Sequence, residues 1–395
     1  MTRWDAVVVG AGPAGSVTAL LLARAGARVL LLDRERFPRD KPCSEYLSPE
    51  STRVLERLGG GVAAAVAAAA PARLRGMKVV APSGAAVVGH FAGRFSYALP
   101  RTTFDTILRN AAERAGAEVR ERVKVEDLLY DKGAVAGVVT RDAGSGTRDG
   151  WRARVVVGAD GLRSVVARRL GAVRTSPPRR VAFTAHIADV ADVADLGEMH
   201  VGPRGRGYVG LGPIGGGMTT VALVVPLRAV RRRGPPRFFE ALDRFPGLAG
   251  RFDSRRVVRD VLATGPFAQW SRRPVADGGG ALLVGDAADF FDPFTGQGIY
   301  SALRGAELAA ACLLAALARG ISLRSYARAR RREFAGKWLL ERLIALGVGW
   351  PALVERAVAR LARRPDLADL LVGATGNCIP ARAALRPGVL ARILW

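Results

Sequence analysis

The sequence is poor in cysteine and histidine. Three Cys among 395 residues stand far apart, at positions 43, 312 and 378. So few thiols exclude a disulfide-stapled secreted domain and a cysteine-based zinc site, and they fit a reducing cytoplasm. The three His share no metal-ligand spacing, so no metal site and no Ser-His-Asp triad is predicted. Each is better interpreted as a strand or surface residue than as a catalytic base: His90, His186 and His200.

Lysine is also scarce. The net charge is +25, yet only five of the 60 basic residues are Lys, and the rest are Arg spread along the whole chain. Together with 47 Gly and long Ala tracts, this skew indicates compositional bias of the source genome. No stretch interleaves basic and aromatic residues as a groove for single strands does. We therefore expect no nucleic-acid partner.

The chain lacks a long hydrophobic run. The longest helical apolar stretch, Leu308 to Ala318, is shorter than the roughly 20 residues that span a bilayer. Arg3 and Asp5 lead directly into a strand pattern, with no signal-peptide form. A cytoplasmic protein is expected, with contact to a membrane being peripheral at most. Its length suits two or three domains, and 49% hydrophobic residues supply a sizeable core.

The N-terminus carries a complete βαβ pattern. The run Val7 to Val9 leads into a glycine-rich turn, a helix predicted over Ser16 to Ala25, and a second strand, Val29 to Leu32. In such a turn the glycines permit a tight bend, approach of a pyrophosphate and helix packing, while an acid ending the second strand holds ribose. The pattern predicts a dinucleotide site formed by Gly10, Gly12, Pro13, Ala14, Gly15, Asp33 and the adjacent Arg34.

Two later segments also pair a buried strand with a polar glycine-bearing loop. One runs from Val155 to Ser164 and contains Asp160, and the other runs from Leu283 to Gly298 and contains Asp286. From the residues alone, each aspartate is either a ligand contact or an N-cap carboxylate. The second segment opens a long helix, whose N-terminus stabilises negative charge.

These three motifs, in this order, resemble the flavoprotein family of p-hydroxybenzoate hydroxylases and geranylgeranyl reductases. The resemblance implies FAD, with Asp160 beside the pyrophosphate, Asp286 on the ribityl chain and Arg101 on the flavin side. It adds Gly285, Pro293, Gly296, Gln297 and Gly298 to the cofactor contacts. The implied fold is α/β: a glutathione-reductase-type FAD-binding Rossmann-like domain, an inserted β-sheet substrate domain and a helical C-terminal region. The predicted boundaries are 1–74, 100–176 and 274–320 for the first, 75–99 and 177–273 for the second, and 321–395 for the third.

Geranylgeranyl-reductase-like proteins are the nearest match within this family. The loop from Phe37 to Cys43 and the segment from Asp292 to Tyr300 resemble theirs, so Cys43 is included among the cofactor contacts. A small buried hydrophobe is the other interpretation of Cys43. Ser44 replaces the usual Gly, and Gln297 replaces a common Glu. The aromatic substrate motif is reduced to Tyr208-Val209-Gly210-Leu211-Gly212-Pro213, which predicts a widened pocket at Tyr208, Gly210 and Pro213.

Function follows only in outline. We expect an FAD-dependent oxidoreductase, foremost a monooxygenase that hydroxylates or epoxidises a lipophilic polyketide or isoprenoid. The alternative is a prenyl-type C=C reductase, and a remote one is a flavin carrier without catalysis. Because no second G-x-G-x-x-G motif has its own βαβ unit, NAD(P)H is expected to bind transiently, or a separate flavin reductase delivers electrons. The sequence gives no oligomeric state.

The last 75 residues are basic and apolar. From Ile321 to Trp395 there are 14 basic and five acidic residues. Apolar side chains are interleaved with them: Phe334, Trp338, Leu339, Leu343, Ile344, Leu346 and Trp350. This composition fits an amphipathic helix that packs on the flavin domain, and equally a helix at a membrane interface.

Overall fold

The computed structural model describes residues 3–203 and 205–394. Its strands are β1 Trp4–Val9, β2 Val29–Leu32, β3 Tyr46–Leu47, β4 Ala72–Leu74, β5 Gly76–Val80, β6 Ala86–His90, β7 Ser96–Ala98, β8 Glu118–Arg120, β9 Val123–Asp131, β10 Ala134–Asp142, β11 Arg148–Gly158, β12 Val173–Thr175, β13 Arg180–Ala188, β14 Leu196–Val201, β15 Tyr208–Gly215, β16 Met218–Pro226, β17 Val257–Thr264, β18 Gln269–Ser271, β19 Ala281–Leu283 and β20 Asp289–Phe290. Its helices are α1 Pro13–Arg24, α2 Pro49–Leu58, α3 Val62–Ala68, α4 Arg101–Arg114, α5 Val165–Arg169, α6 Leu227–Arg233, α7 Phe238–Leu242, α8 Gly298–Arg319, α9 Arg324–Gly347, α10 Pro351–Ala362, α11 Pro365–Thr375, α12 Ala381–Ala384 and α13 Pro387–Leu394.

The first sheet is parallel at its centre. Strands β8, β2, β1, β11 and β19 are adjacent and parallel, while β10 and β9 extend the sheet antiparallel from the first half of β11. Every residue of β2 is buried, as expected for a strand covered on both faces. Helix α1 begins at Pro13, three residues before the predicted start, because proline is favoured in the first turn of a helix.

The second sheet has the order β17-β13-β16-β15-β14-β5-β6. All its pairs are antiparallel except β14 with β5. Helix α7 packs its Phe238 and Leu242 against one face. The other face carries Ala182, Met199, Tyr208 and Val224, and it packs partly against α10, α11 and α13.

The C-terminal helices connect the two sheets. Helix α9 buries Phe334 in the core formed by β1, α1 and α8, and Trp338 packs beside it. Helices α10 and α11 pack on the second sheet through Val354, Val358 and Leu367. The predicted α/β architecture, with its second sheet and helical C-terminal region, is confirmed. The predicted boundaries between the three regions stay a prediction.

Helix α8 is longer than the apolar run recognised in the sequence. Its 22 residues make it long and apolar enough to cross a membrane by length and composition. In the fold, Ala302, Leu303, Ala306 and Leu313 of α8 belong to the same buried cluster as α1. This packing is that of a core helix.

Candidate functional site

A deep cleft separates the two sheets. It encloses about 1170 Å³, including its opening to solvent. One end reaches the N-terminus of α1, and the other reaches the inner face of the second sheet. Residues lining the first end and the middle are Gly12, Pro13, Ala14, Lys41, Cys43, Arg101, Asp286, Pro293, Gly296 and Gly298; those of the second end include Ala182, Thr184, Met199, Tyr208, Gly210, Ala222, Val224, Phe267 and Phe290.

Backbone geometry shapes the end at α1. Gly10 has φ +97°, and a Cβ there would lie 2.6 Å from the carbonyl oxygen of Ala159. A Cβ on Gly15 would overlap the carbonyl oxygen of Gly10. Gly12 differs, because the nearest atom to its Cβ position is a guanidinium nitrogen of Arg39 at 3.5 Å. Its surface is therefore open to the cleft, as a cradle for a ligand phosphate needs.

The buried Arg101 and the partly buried Arg39 face this cradle. Arg101 donates to both carboxylate oxygens of the fully buried Asp105, at 2.6 and 2.7 Å. Arg39 lies 3.3 Å from Asp105 and 3.8 Å from Asp33. Two guanidinium groups thus share carboxylates beside the N-terminus of α1. The N-terminus of a helix stabilises an anion.

Asp33 joins the end of β2 to the glycine turn. One of its carboxylate oxygens accepts the backbone N–H of Ala11 at 2.7 Å, and the other accepts that of Glu35 at 2.9 Å. Arg34, predicted beside it as a cofactor contact, has a side chain that is 71% exposed and pairs with Glu35. The structure places Arg34 outside the cleft lining, whereas Arg39 reaches the Gly12 turn.

Asp160 is a helix cap in this structure. Its carboxylate accepts the hydroxyl of Ser164 at 2.5 Å and the backbone N–H of Val165 at 2.6 Å. Burial raises the pKa of Asp160, and these hydrogen bonds oppose the shift. Its backbone nevertheless lies against the Gly10 turn, because a Cβ on Gly10 would be 2.8 Å from the Asp160 Cα. The carboxylate therefore orders the turn beside the phosphate cradle.

The loop from Gly285 to Gly298 forms the middle of the cleft. Asp286 lies 3.9 Å from Lys41 across it. Burial raises the pKa of Asp286 and lowers the pKa of Lys41, and the attraction between them opposes both shifts. Gly296 and Gly298 line the cleft, whereas the Gln297 side chain is buried outside the lining, and both its amide atoms lack a partner within the described residues.

Cys43 lies on the cleft wall beside Arg101. Its Sγ accepts the backbone N–H of Glu45 at 3.2 Å. Burial lowers the pKa of the Arg101 guanidinium, but the neighbouring Asp105 and Cys43 outweigh burial and raise the pKa above its usual value. The thiol is half-buried: it lines the cleft and also packs against the core around α1, so both interpretations of Cys43 stay predictions.

The second end of the cleft is formed by rows of side chains across the sheet. Tyr208 is opposite Val224, which is opposite Ala182, and Gly210 is opposite Ala222. Because alternate residues of a strand share a face, Tyr208 and Gly210 both face the cleft. Pro213 has the opposite parity and does not line the cleft, so its prediction as a pocket residue is wrong.

Tyr208 is held by a buried ion pair. Its hydroxyl donates to Asp292 at 2.6 Å, and Arg180 donates to the same carboxylate at 2.5 Å. Burial and Asp292 together raise the pKa of Tyr208 well above its usual value. Arg180 also donates to the carbonyl of Ala345 in α9. This network ties the flavin-loop segment to the second sheet and the C-terminal helices. No local pattern in the sequence indicates it, because Tyr208 and Arg180 bond to Asp292 across 84 and 112 positions.

A second polar cluster lies behind Cys43, and sequence reasoning missed it too. Glu45 is fully buried, and its carboxylate lies 2.7 Å from Nε2 of His186 and 3.9 Å from Arg259. Arg259 donates to the hydroxyl of Thr184, which lines the cleft. His186 is thus a buried residue of β13 whose imidazole faces the Glu45 carboxylate. Glu45 lies only two residues beyond Cys43, the one local signal for this cluster.

A family model described as FAD binding domain matches residues 3–339. The chain belongs to this FAD-binding family. Similar curated proteins include a digeranylgeranylglycerophospholipid reductase of Methanothrix thermoacetophila, 31% identical over 86% of this chain and 86% of the relative. A menaquinone reductase of Mycolicibacterium smegmatis is 32% identical over 78% of this chain and 76% of the relative.

Solved structures share the fold. A flavoprotein/dehydrogenase of Cytophaga hutchinsonii superposes with a TM-score of 0.85 at 21% identity, covering 98% of this chain and 96% of that one. A geranylgeranyl bacteriochlorophyll reductase-like protein of Thermoplasma acidophilum gives 0.78 at 20% identity, covering 100% and 99%. With its family model and its curated reductase relatives, this member of the FAD-binding family is an FAD-dependent oxidoreductase.

The residues of the cleft fit FAD. Gly12 leaves the helix N-terminus of α1 open to a pyrophosphate, with Arg39 and Arg101 beside it. Within the described residues, several buried polar atoms of the segments around the cleft have no partner: Arg39 Nε, Thr295 Oγ1 and both amide atoms of Gln297. These atoms lie outside the lining of the cleft, so the open surface of Gly12 at the start of α1 is the observation that fits a bound phosphate.

Proposed function

We propose that this protein is a flavin-dependent reductase of C=C bonds in a lipophilic, isoprenoid-type substrate. The observation that carries the proposal is the chemistry of the second end of the cleft. Its walls are largely apolar, formed by Ala182, Met199, Val224, Phe267 and Phe290.

Two polar groups at this end already have partners inside the protein. The Tyr208 hydroxyl donates to Asp292, and the Thr184 hydroxyl accepts from Arg259. A site that selects a polar substrate presents unpaired, oriented polar groups, whereas a hydrocarbon needs only apolar surface. The cleft therefore suits a substrate whose reacting part is a hydrocarbon chain. The names of the curated relatives, which are reductases of a geranylgeranyl lipid and of menaquinone, support the same substrate class.

FAD would be held by the Gly10 to Gly15 turn, Arg39, Arg101 and the Gly285 to Gly298 loop, and it would supply a hydride when reduced. Saturating a C=C bond takes that hydride on one carbon and a proton on the other. Cys43 is the candidate proton donor, because its Sγ lies on the cleft wall between the cofactor end and the apolar end. Arg101 beside it would stabilise the thiolate that remains until a proton returns from solvent. NAD(P)H, binding transiently, or a separate flavin reductase would supply the electrons.

A monooxygenase is the second candidate. It is favoured by Gly210, which leaves the sheet face without a side chain where the reductase motif has an aromatic one, and by the neutral Gln297 in the flavin loop. A wider floor would admit a fused-ring substrate beside the flavin. This reaction would place one atom of O2 in the product.

Turnover under ¹⁸O2 with product mass spectrometry separates the two reactions. A C=C reductase gives a product about two mass units heavier than substrate and free of ¹⁸O, whereas incorporated label would overturn the proposal. Anaerobic stopped-flow with NADH and NADPH tests the donor. No flavin reduction by either, with or without substrate, would indicate a separate reductase.

The role of Cys43 has its own test. Cys43→Ala should leave flavin reduction unchanged and slow product formation by roughly 100-fold, because only proton transfer is lost. Cys312→Ala, in α8 and outside the cleft lining, is the matched control. Unchanged product formation in Cys43→Ala would remove the thiol from the mechanism without affecting the reductase assignment.

A further inference from the structure

Helix α9 presents two different faces. Phe334 and Trp338 pack with the core formed by β1, α1 and α8, and Leu340 and Ile344 pack with α11 and α12. Leu339, Leu343 and Leu346 instead face outward and are 51%, 43% and 53% exposed, and Trp350, just beyond the helix, is 71% exposed. These four positions are spaced as one helical stripe. They account for four of the nine large hydrophobic side chains found exposed in the described residues.

This apolar stripe ends in a basic groove. The groove lies between the end of α9 and the start of α6, and it is lined by Trp350 and by Arg179, Arg228 and Arg231. None of the described residues lining it is acidic. Arg180, at its base, is neutralised by Asp292. Within the described residues the other three arginines have no ion-pair partner.

One kind of partner fits both the apolar stripe and the basic groove. An exposed Trp and Leu stripe lowers its free energy by entering an apolar phase, and unpaired arginines beside it favour anionic groups at the boundary of that phase. Clustered cations attract the anionic surface of a bilayer, each contributing about 1 kcal/mol. We propose that Leu339, Leu343, Leu346, Trp350, Arg228 and Arg231 form a docking face for an anionic lipid bilayer.

The docking face brings the bilayer close to the reaction cleft. Arg180 reaches the groove with its backbone neighbour Arg179, and its guanidinium contacts Asp292, which holds Tyr208 on the cleft wall. Arg180 and Asp292 thus link the groove to Tyr208 at the apolar end of the cleft. Docking here would place a lipophilic substrate's reservoir beside the domain that receives it. The proposal concerns binding and does not depend on the reaction catalysed.

Sedimentation with vesicles tests the docking face. The full-length FAD-loaded protein should bind phosphatidylcholine vesicles containing phosphatidylglycerol, bind pure phosphatidylcholine vesicles much less, and be released by salt. Arg228→Gln and Arg231→Gln should each weaken the binding about fivefold. Leu343→Ser combined with Trp350→Ser should weaken it by about tenfold or more.

Matched variants away from the docking face control for charge and apolarity. Arg114→Gln with Arg152→Gln removes two exposed arginines, and Tyr130→Ser removes an exposed aromatic side chain. These variants should bind vesicles as the unaltered protein does. Equal weakening by the control and docking-face variants would overturn the proposal, as would absence of binding at low ionic strength.

Hydrogen exchange of the unaltered protein gives a test that needs no variant. Anionic vesicles should protect backbone amides in 227–233 and 339–350 and leave those of α4 and α5 unchanged. Protection elsewhere would overturn the proposal. A second copy of the chain is the competing occupant: concentration-dependent dimerisation without vesicles, abolished by Leu343→Ser with Trp350→Ser, would assign the stripe to a dimer instead.

Discussion

The two ends of the cleft are built by different means. The cofactor end is made of backbone: the turn from Gly10 to Gly15 closes only because Gly10 and Gly15 lack Cβ atoms, and the buried carboxylates of Asp33 and Asp105 hold it in place. The substrate end is made of side chains, contributed by several strands of a second sheet and exchangeable for others of similar size. One end is therefore fixed by sterics and charge, and the other is adjustable.

This difference explains how one fold serves several reactions. A flavin needs the same pyrophosphate cradle whatever it reduces or oxygenates, so the cofactor end tolerates little change. The substrate end can change its lining without disturbing that cradle. Substitutions at the two ends should accordingly differ in what they abolish, and the expected effect should decrease from the cofactor end to the substrate end.

Gly12→Val should have the largest effect. The Cβ of residue 12 meets no protein atom closer than 3.5 Å, so the fold should survive, while the added side chain fills the space a pyrophosphate needs. We expect FAD affinity to fall by at least about 1000-fold and the purified protein to be colourless. Gly388→Val, in open space on α13, should stay yellow. Full flavin occupancy in Gly12→Val, measured by absorbance after gel filtration, would show that the cradle is placed wrongly.

Asp105→Ala tests the charges of the same end. The substitution leaves the buried Arg101 and the partly buried Arg39 without their shared carboxylate, and breaking the buried pair of Arg101 costs about 3–5 kcal/mol. The free energy of unfolding should fall by that amount, and added FAD should recover part of it by binding the folded state. Asp366→Ala removes the exposed partner of Arg364 and should leave the free energy of unfolding nearly unchanged, because water and salt screen an exposed pair. Equal losses of unfolding free energy for Asp105→Ala and Asp366→Ala, measured in urea, would mean that the buried pair stabilises the fold no more than the exposed pair does.

Tyr208→Phe addresses the junction of the two ends. The variant keeps the ring but removes the hydroxyl that donates to Asp292, and a hydrogen bond to a charged group contributes about 1.5–3 kcal/mol. We expect stability to fall by about that amount while FAD stays bound. Tyr130→Phe, whose ring is 52% exposed, is the control and should unfold like the unaltered protein. Loss of FAD from Tyr208→Phe would show that the two ends are not separable.

The same contrast decides what the sequence could reveal. The cofactor end is predictable because its glycines, Asp33 and the flanking strands are close along the chain and leave a local pattern. Arg39 lies in a loop singled out for Cys43, but nothing local shows that it turns toward Gly12. The pair of Arg180 and Asp292 is separated by 112 positions and leaves no pattern at all. The prediction for Pro213 is wrong because the face of the sheet that a residue of β15 occupies depends on where the strand begins. The degraded motif does not show where β15 begins.

Gly210→Ala should have the smallest effect and the most selective one. A Cβ at residue 210 would lie 3.1 Å from the sulfur of Met199, a flexible side chain that can shift, so stability should change by less than about 1 kcal/mol. FAD should bind normally, because the substitution is at the adjustable end. The narrower floor should lower kcat/KM about tenfold for a bulky prenylated quinone and hardly at all for a short isoprenoid that carries a single reducible C=C bond. Gly212→Ala is the matched control, since it shares the sheet face but lies outside the cleft lining, with its nearest neighbour 3.7 Å away. Equal changes for both substrates in Gly210→Ala, or the same selectivity in Gly212→Ala, would contradict the assignment of the second sheet as the substrate end. Selectivity confined to residue 210 would locate the prenyl chain beside β15 and Met199, the surfaces that the added methyl group changes.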